Sequence, residues 1–173
     1  MLLAIDTATR QLGTAVVDGE RLVSSYEVVA ETPPHAVELP DAVRRVLGGA
    51  RITLQQVEAF IVDIGPGSFT GLRIGIAFMK ALAYTTKKPA VGVPSLDILA
   101  AQLPMAPFLV CPLLDAKRHN VYAALYRVEA GVPVRESDYL LGPVDDILAQ
   151  IHRPVVFLGD GCPLYRDRIV ARL

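Results

Sequence analysis

The segment richest in potential chemistry runs from Gly65 to Gly75 and reads Gly-Pro-Gly-Ser-Phe-Thr-Gly-Leu-Arg-Ile-Gly. Two glycines around a proline permit a turn with positive φ, and Ser68 or Thr70 could cap a helix that follows. The amino terminus of such a helix offers N–H groups to an anion. The segment lacks the Lys-Ser/Thr pair of a Walker A loop. An anion site and the tight packing of a strand on a capped helix explain these residues equally well.

Acidic residues end two of the apolar runs. Asp6, followed by Thr7, ends the first run, and Asp115 ends a later one. A carboxylate at such a position could hold Mg²⁺ through water, and a hydroxyl could bind phosphate. A phosphate loop here would use glycine, whereas Ala8 stands at that place, so a local turn is slightly favoured. The polar run from Asp115 to Asn120 could line a cleft or simply be solvated.

Metal-binding and nucleophilic sets are not evident in the sequence. A metal site on a helix that starts at His35 would need a second ligand four residues later, where Leu39 stands. Cys111 and Cys162 have no CxxC spacing, and buried thiols in a reducing cytoplasm are the favoured interpretation, with a disulfide left open. We therefore predict no metal ligands and no catalytic residues.

Composition limits the classes of function. The chain has 173 residues, 17 Lys and Arg against 18 Asp and Glu, and a net charge of -1, which disfavours a broad electrostatic grip on nucleic acid or an anionic membrane. A small basic patch is compatible with this balance. With 52% hydrophobic residues the chain can build a core. No apolar run is long enough for a membrane span, and the acid at Asp6 argues against a signal peptide.

Residue periodicity and turn signals predict a mixed α/β chain. Strands are predicted over Leu2–Asp6, Gly13–Val17, Leu22–Val29, Ala59–Ile64, Ala90–Val93, Phe108–Asp115, Val121–Val128, Val132–Val134 and Val155–Leu158. Helices are predicted over His35–Leu47, Thr70–Thr86, from Ser95 onward, over Val144–Ile151 and over Pro163–Leu173. Pro40 inside the first helical pattern predicts a kink or a later start.

The order of these elements repeats. Each half has three strands, a helix, a strand and a Gly-x-Gly turn, at Gly65 to Gly67 and at Gly159 to Gly161. Two such copies are typical of the duplicated actin/hexokinase/Hsp70-like (ASKHA) fold. We therefore predict an amino-terminal lobe over residues 1–103 and a shorter carboxy-terminal lobe over residues 104–173.

The predicted helix Thr70–Thr86 is apolar around most of its circumference and carries only Arg73 and Lys80 as charges. A helix of this kind must be buried on more than one side. The sheet of a small lobe covers one side, and we expect another chain to cover a second. Arg73 in the first turn opposes the helix dipole, which indicates a specific partner for its side chain.

Several segments together resemble the TsaB (YeaZ) family. They are Ile5 to Thr7, the eleven residues Gly65 to Gly75, Gly92 to Leu96, Leu114 to Arg118 with Val121-Tyr122, and Gly159 to Gly161. The match runs in order over nearly the whole chain, and the Gly-Pro-Gly segment is the most specific part. The chain is short for the family, and its second lobe is expected to be shortened.

The resemblance implies a function in tRNA modification. Family members are non-catalytic subunits that support the TsaD-type transferase, which moves threonylcarbamoyl from threonylcarbamoyl-AMP to the adenosine next to the anticodon. The implied partners are the transferase in a heterodimer, the TsaE-type ATPase through that complex, a second copy of the chain when the transferase is absent, and tRNA indirectly. ATP and metal are expected in the partner proteins and not in this chain.

The resemblance also assigns residues. A degenerate cleft, without the His-x-x-x-His pair of the transferases, is expected at Asp6, Thr7, Gly65, Gly67, Ser68, Asp115, Gly159 and Gly161. The partner interface, placed partly by family knowledge and partly by the burial argument, is expected at His35, Val37, Leu39, Gly71, Leu72, Arg73, Gly75, Ile76, Met79 and Ala83.

Two other functions stay open. One is an active enzyme of the same superfamily, either an ATP-dependent kinase or a metallopeptidase-like hydrolase, which would bind ATP·Mg²⁺ or a metal. The other is a homodimer that acts alone with a partner of its own.

Overall fold

The computed structural model describes residues 1–29 and 35–172, with the side chain of His35 also outside the description. It divides the chain into two compact units, Met1–Pro94 and Ser95–Leu173. The division falls just before the helix at Ser95, which the sequence analysis had placed in the first lobe.

The first unit is a five-stranded sheet with two long helices. Its elements are β1 (Leu2–Asp6), β2 (Gln11–Asp18), β3 (Arg21–Val29), α1 (His35–Ala50), a short 3₁₀ turn (Leu54–Gln56), β4 (Ala59–Asp63), α2 (Phe69–Thr86) and β5 (Ala90–Val93). The strand order is β3-β2-β1-β4-β5. The pairs β1–β2 and β2–β3 are antiparallel, whereas β4 runs parallel to both β1 and β5.

Alternation along the strands builds the core of this unit. Every second side chain of β1 and β2 is buried, which places Leu3, Ile5, Leu12 and Val16 on one face of the sheet. The apolar positions of α1 recur with helical spacing and pack on the same core. The buried set includes Leu3, Ile5, Leu12, Val16, Leu39, Val43, Val46, Phe60 and Met79.

Helix α1 contains Pro40 without ending there. Proline removes one backbone donor from a helix and usually kinks or ends it. Here Pro40 lies on the exposed side, and the buried neighbours Leu39 and Val43 hold the turns on either side against the core. The later start that Pro40 suggested is therefore wrong, and the helix includes His35.

The second unit has a broken sheet with three shorter helices. Its elements are α3 (Ser95–Ala100), β6 (Leu109–Lys117), β7 (Asn120–Ala123), β8 (Tyr126–Glu129), β9 (Val132–Arg135), β10 (Leu140–Pro143), α4 (Val144–Leu148), β11 (Val155–Leu158) and α5 (Gly161–Arg172). Strand β6 pairs with β7 and β8 antiparallel and with β11 parallel, while β10 pairs with β7 and β9 with β8.

Three elements of this unit differ from the prediction, and one of them is β10, where no strand was predicted. The expected strand Val121–Val128 is split into β7 and β8, because Leu125 bonds to residues further along the chain. Its N–H donates to Ser137 Oγ at 2.9 Å, and its carbonyl accepts from the N–H of Glu136 at 2.7 Å. The helix expected to reach Ile151 ends at Leu148, after which i→i+3 bonds tighten the chain.

The predicted duplication is confirmed. In the first unit β1 pairs antiparallel with β2 and parallel with β4, and in the second unit β6 does the same with β7 and β11. A helix precedes the parallel strand in each case. None of the helices within residues 1–29 and 35–172 is long and apolar enough to cross a lipid bilayer.

Candidate functional site

The end of β1 packs directly on α2. Thr7 is fully buried, and its hydroxyl donates a hydrogen bond to the carbonyl of Gly71 at 2.8 Å. One turn later, a Cβ added to Gly75 would overlap with Thr7 Oγ1 and would lie 3.4 Å from Thr7 Cβ. The two glycines of α2 therefore let the helix approach the first strand closely.

The Gly-Pro-Gly turn closes over Ala8. The N–H of Ser68 donates to the carbonyl of Ala8 at 2.6 Å, and a Cβ added to Gly67 would lie 2.9 Å from the methyl group of Ala8. Ala8 is buried. Gly67 is thus required for backbone-to-backbone packing, which favours the packing interpretation of this segment over the anion-site interpretation.

Polar side chains at the ends of β1 and β4 hold their own turns. Asp6 accepts the N–H of Ala8 at 2.8 Å, and the buried Asp63 accepts the N–H of Gly65 at 2.7 Å. Gly65 has a φ of +94°, and the Gly65-Pro66 bond is cis. These carboxylates satisfy backbone donors in the tight turns that follow the two strands.

The structure shows which of the two candidate residues, Ser68 or Thr70, caps α2. Ser68 is the cap residue, since its Oγ accepts the N–H of Gly71 at 3.2 Å. Thr70 lies inside the helix on its exposed side. The guanidinium of Arg73 stacks on the ring of Phe69, 4.0 Å from the centroid, so the predicted partner of Arg73 within this unit is an exposed aromatic ring.

The remaining predicted cleft residues lie together in the second unit. The N–H of Asp115 donates to Asp160 Oδ1 at 3.0 Å, which ties the end of β6 to the turn between β11 and α5. Gly159, with a φ of +111°, and Gly161 both abut the carbonyl of Leu113, since added Cβ atoms would lie 2.5 and 2.8 Å from it. The second Gly-x-Gly turn therefore also serves close packing.

Asp115 braces the β6–β7 hairpin. One carboxylate oxygen accepts the N–H of Lys117 at 2.9 Å, and the other accepts its Nζ at 2.6 Å. The hydrogen bond from the Lys117 side chain lowers the pKa of Asp115 below its usual value. The polar run after β6 is thus a solvated hairpin with an internal ion pair.

Four residues expected at the partner interface are instead buried inside the first unit. They are Leu39 on α1 and Gly71, Gly75 and Met79 on α2. Leu39 and Met79 belong to the core, and the two glycines face Thr7. The sheet needs the small residues of α2 on its own side, so the two glycines and the side chains of Leu39 and Met79 face the core of this unit. The partner interface itself stays a prediction.

The opposite side of α2 is exposed. It carries Phe69, Arg73, Ala77, Ala81 and Tyr84, which recur at helical spacing and which we name the α2 outer face. Phe69 and Tyr84 are 68% and 88% exposed. Among the other predicted interface residues Leu72, Ile76 and Ala83 are half-buried, and Val37 on α1 is exposed.

The structure adds one cluster that the sequence analysis missed. Asp97 on α3 accepts hydrogen bonds from the hydroxyls of Tyr126 at 2.5 Å and of Tyr139 at 2.9 Å. The guanidinium of Arg135 stacks on the ring of Tyr139. The cluster fixes α3 on its sheet. In the sequence, Asp97 stands out only as an acidic residue in the first turn of a helix. No local pattern predicts its hydrogen bonds to two tyrosines about 30 and 40 residues further along the chain.

This cluster predicts a stability loss at alkaline pH. Burial, together with the bond to Asp97, raises the pKa of Tyr126 well above its ordinary value of 10.0. The folded state therefore keeps a proton that the unfolded state releases. The resulting stability is complete below about pH 10 and falls as the pH rises toward the folded pKa.

We expect Tyr126→Phe to lower the free energy of unfolding by about 1–2 kcal/mol at pH 8, since it removes the hydrogen bond of a buried phenol. In the variant, the free energy of unfolding should also fall less steeply above about pH 10 than in the wild type. Urea unfolding from pH 8 to 11 measures both effects. An unchanged alkaline decline would contradict the assignment.

The cysteines are free thiols, as predicted. Cys111 is buried in the core of the second unit, where burial raises its pKa to about 12, and Cys162 is half-buried. Within residues 1–29 and 35–172, no three His, Cys, Asp or Glu side chains group as metal ligands would. The sequence prediction concerning His35 depends on a side chain outside the described residues.

The two units, each built around a strand with one antiparallel and one parallel neighbour, define a duplicated actin/hexokinase/Hsp70-like fold. Component A of (R)-2-hydroxyglutaryl-CoA dehydratase from Acidaminococcus fermentans has a similar fold over 86% of this chain and 52% of its own, with a TM-score of 0.50 at 12% identity. That similarity concerns the fold alone.

Comparison with known proteins identifies the family. Residues 29–142 match the family model of TsaD, tRNA N6-adenosine threonylcarbamoyltransferase. The Bacillus subtilis tRNA threonylcarbamoyladenosine biosynthesis protein TsaB is 33% identical over 97% of this chain and 74% of its own length. YeaZ from Pseudomonas aeruginosa has a TM-score of 0.75 and 31% identity over 82% of this chain and 66% of its own. The chain belongs to the TsaB (YeaZ) family, which takes part in tRNA threonylcarbamoyladenosine biosynthesis.

Proposed function

We propose that this protein is a non-catalytic subunit that binds the TsaD-type transferase and activates it. In this proposal the transferase moves threonylcarbamoyl from threonylcarbamoyl-AMP to the adenosine next to the anticodon of tRNA. The chain supplies a surface and no reacting group. Family membership supports the pathway, and the geometry of the first unit supports the role within it.

The observation that carries the proposal is the α2 outer face. Alanines at positions 77 and 81 leave a shallow surface between two exposed aromatic rings, those of Phe69 and Tyr84. Small residues one turn apart let another helix approach closely, and exposed aromatics are enriched where proteins bind each other. Arg73 and Lys80 are the only charges of α2, so a partner with carboxylates at its edge fits this face.

The engagement of the polar residues supports a non-catalytic role. At the ends of β1 and β4, Asp6 and Asp63 each accept a backbone N–H of the turn that follows, and Thr7 donates to the carbonyl of Gly71 in α2. Gly67 brings the chain onto Ala8 at the place where a phosphate loop would leave room for its anion. In the second unit Asp115 is committed to Lys117.

The proposal assigns the other components as follows. The transferase forms a heterodimer with this chain, and a second copy of the chain occupies the same face when the transferase is absent. The TsaE-type ATPase joins through the heterodimer. Those partners bind ATP and metal. The adenosine of tRNA is presented to the transferase, so this chain meets tRNA through the complex. The assembly works in the cytoplasm.

Light scattering on the chain alone, and on its mixture with the TsaD-type protein of the same organism, tests the proposal. We expect twice the mass of one chain for the protein alone and a one-to-one heterodimer in the mixture. Threonylcarbamoylation of tRNA by the transferase should then require this chain. A chain that stays monomeric and leaves the transferase unaffected would refute the proposed role.

A further inference from the structure

The tip of the β6–β7 hairpin has an unusual backbone for its sequence. Lys117, Arg118 and His119 have φ values of 64°, 52° and 65°, all in the left-handed region. Lys117 pairs with Asn120, so Arg118 and His119 are the two central residues of the turn. A two-residue hairpin with positive φ at both centres normally uses Asn-Gly or Asp-Gly, because a Cβ makes this conformation costly.

The side chains at this tip are cationic or titratable, and they face solvent. Lys117, Arg118 and His119 are all exposed, whereas the side chain of Asp115 beneath them is only 11% exposed. Lys117 pairs with Asp115. Arg118 and His119 make no hydrogen bond or ion pair with the part of the chain that the structure describes.

The hairpin is also held rigidly. A β-bulge between Asp115 and Lys117 sets the turn, and the Asp115 carboxylate binds both the N–H and the Nζ of Lys117. Asp115 is tied in turn to Asp160. The backbone that carries the Arg118 guanidinium therefore needs little reordering to meet an anion, and the planar fork of the guanidinium suits phosphate oxygens.

We propose that this hairpin contacts the phosphate backbone of tRNA, with Arg118 as the principal donor and His119 beside it. The inference rests on the proposed function, since it takes tRNA as the nucleic acid that the complex handles. The inference goes beyond the proposed function because it assigns a direct RNA contact to this chain. Backbone strain kept at an exposed cationic tip is typical of a binding site, where conformation serves recognition and not stability.

The test compares variants in tRNA binding, with the chain alone and in the heterodimer with the transferase. We expect Arg118→Ala to weaken binding about three- to tenfold and to reduce the salt slope of log K by about 1, as loss of one phosphate contact should. Arg118→Lys should recover part of the affinity. Arg166→Ala removes an exposed arginine of the same unit and serves as the matched control.

A stability measurement separates recognition from folding. We expect His119→Gly to raise Tm by about 2–4 °C, because glycine adopts the left-handed conformation without strain, while tRNA binding weakens. A higher Tm together with weaker tRNA binding would distinguish a binding site from a turn that serves only folding. A lower Tm, or unchanged affinity, would contradict the inference.

Three outcomes would overturn the RNA contact. They are absence of tRNA binding by the wild-type chain and its heterodimer, equal affinity of Arg118→Ala and wild type, and loss of transferase binding with tRNA binding intact. The last would mean that the hairpin binds an acidic protein surface. If no heterodimer forms, the proposed function fails, but the comparison with the chain alone still decides the RNA contact.

Discussion

Replacing Ala77 with arginine is expected to weaken the heterodimer with the TsaD-type transferase about 100-fold or more. Ala77 lies at the middle of the α2 outer face, between Arg73 and Ala81. A long charged side chain there would hold the partner away and add a third cation to a helix that already carries Arg73 and Lys80. Central interface positions typically account for about 2–4 kcal/mol. Isothermal titration calorimetry measures the change in Kd.

Ala171→Arg is the matched control. It makes the same exchange at an exposed position of α5 in the second unit. It should leave the Kd unchanged, and both variants should keep the wild-type Tm because both alanines are exposed. Equal effects of the two variants, or none from Ala77→Arg, would place the interface elsewhere.

Replacing Gly75 with alanine should lower the free energy of unfolding by about 1–3 kcal/mol, although alanine is the better helix former. The added methyl group would overlap with the hydroxyl of Thr7, which cannot turn away without losing its bond to Gly71. Urea unfolding, followed by circular dichroism, measures the loss.

Two further variants show whether the contact with Thr7 is the cause. Gly48→Ala, in α1, adds a methyl group to a helical glycine with open space around it and should stabilise the protein by about 0.5–1 kcal/mol. Thr7→Ala should largely rescue Gly75→Ala, since the two Cβ positions are 3.4 Å apart. Additive effects of the two substitutions would exclude a direct contact.

Much of the fold could be predicted because its signals are local. The strands β1, β5 and β11 and the helix α2 follow from apolar runs between Gly, Pro and Asp residues. The split between β7 and β8 could not be predicted in this way. It depends on Leu125 bonding to Glu136 and Ser137, which lie beyond the next turn.

The sequence identified α2 as the helix of the candidate site, but it could not show which side of α2 packs on the sheet. The Gly65–Gly75 segment identified α2 as the important helix, yet hydrophobic periodicity is uninformative for a helix that is apolar all round. Gly71 and Gly75 permit close approach on one side, and the sequence cannot say whether the neighbour is the sheet or a partner. Thr7, which decides the matter, lies far away along the chain.

The hairpin tip illustrates a different limit. Lys117, Arg118 and His119 give no sequence signal for positive φ, because the residues that usually adopt it are glycine and asparagine. The conformation follows from strand register and from Asp115 beneath the turn. Sequence rules fail where tertiary contacts override the local preference.

The close contact of α2 with Thr7 has a kinetic consequence. Close packing at Gly71 and Gly75 opposes sliding or rotation of the helix on its sheet, so we expect a partner to meet a surface that is already ordered. Docking then requires only correct orientation, with an association rate constant on the order of 10⁵–10⁷ M⁻¹s⁻¹. Variants of the α2 outer face should differ mainly in the dissociation rate constant of the complex. Variants that loosen the contact between α2 and Thr7 should lower the association rate constant.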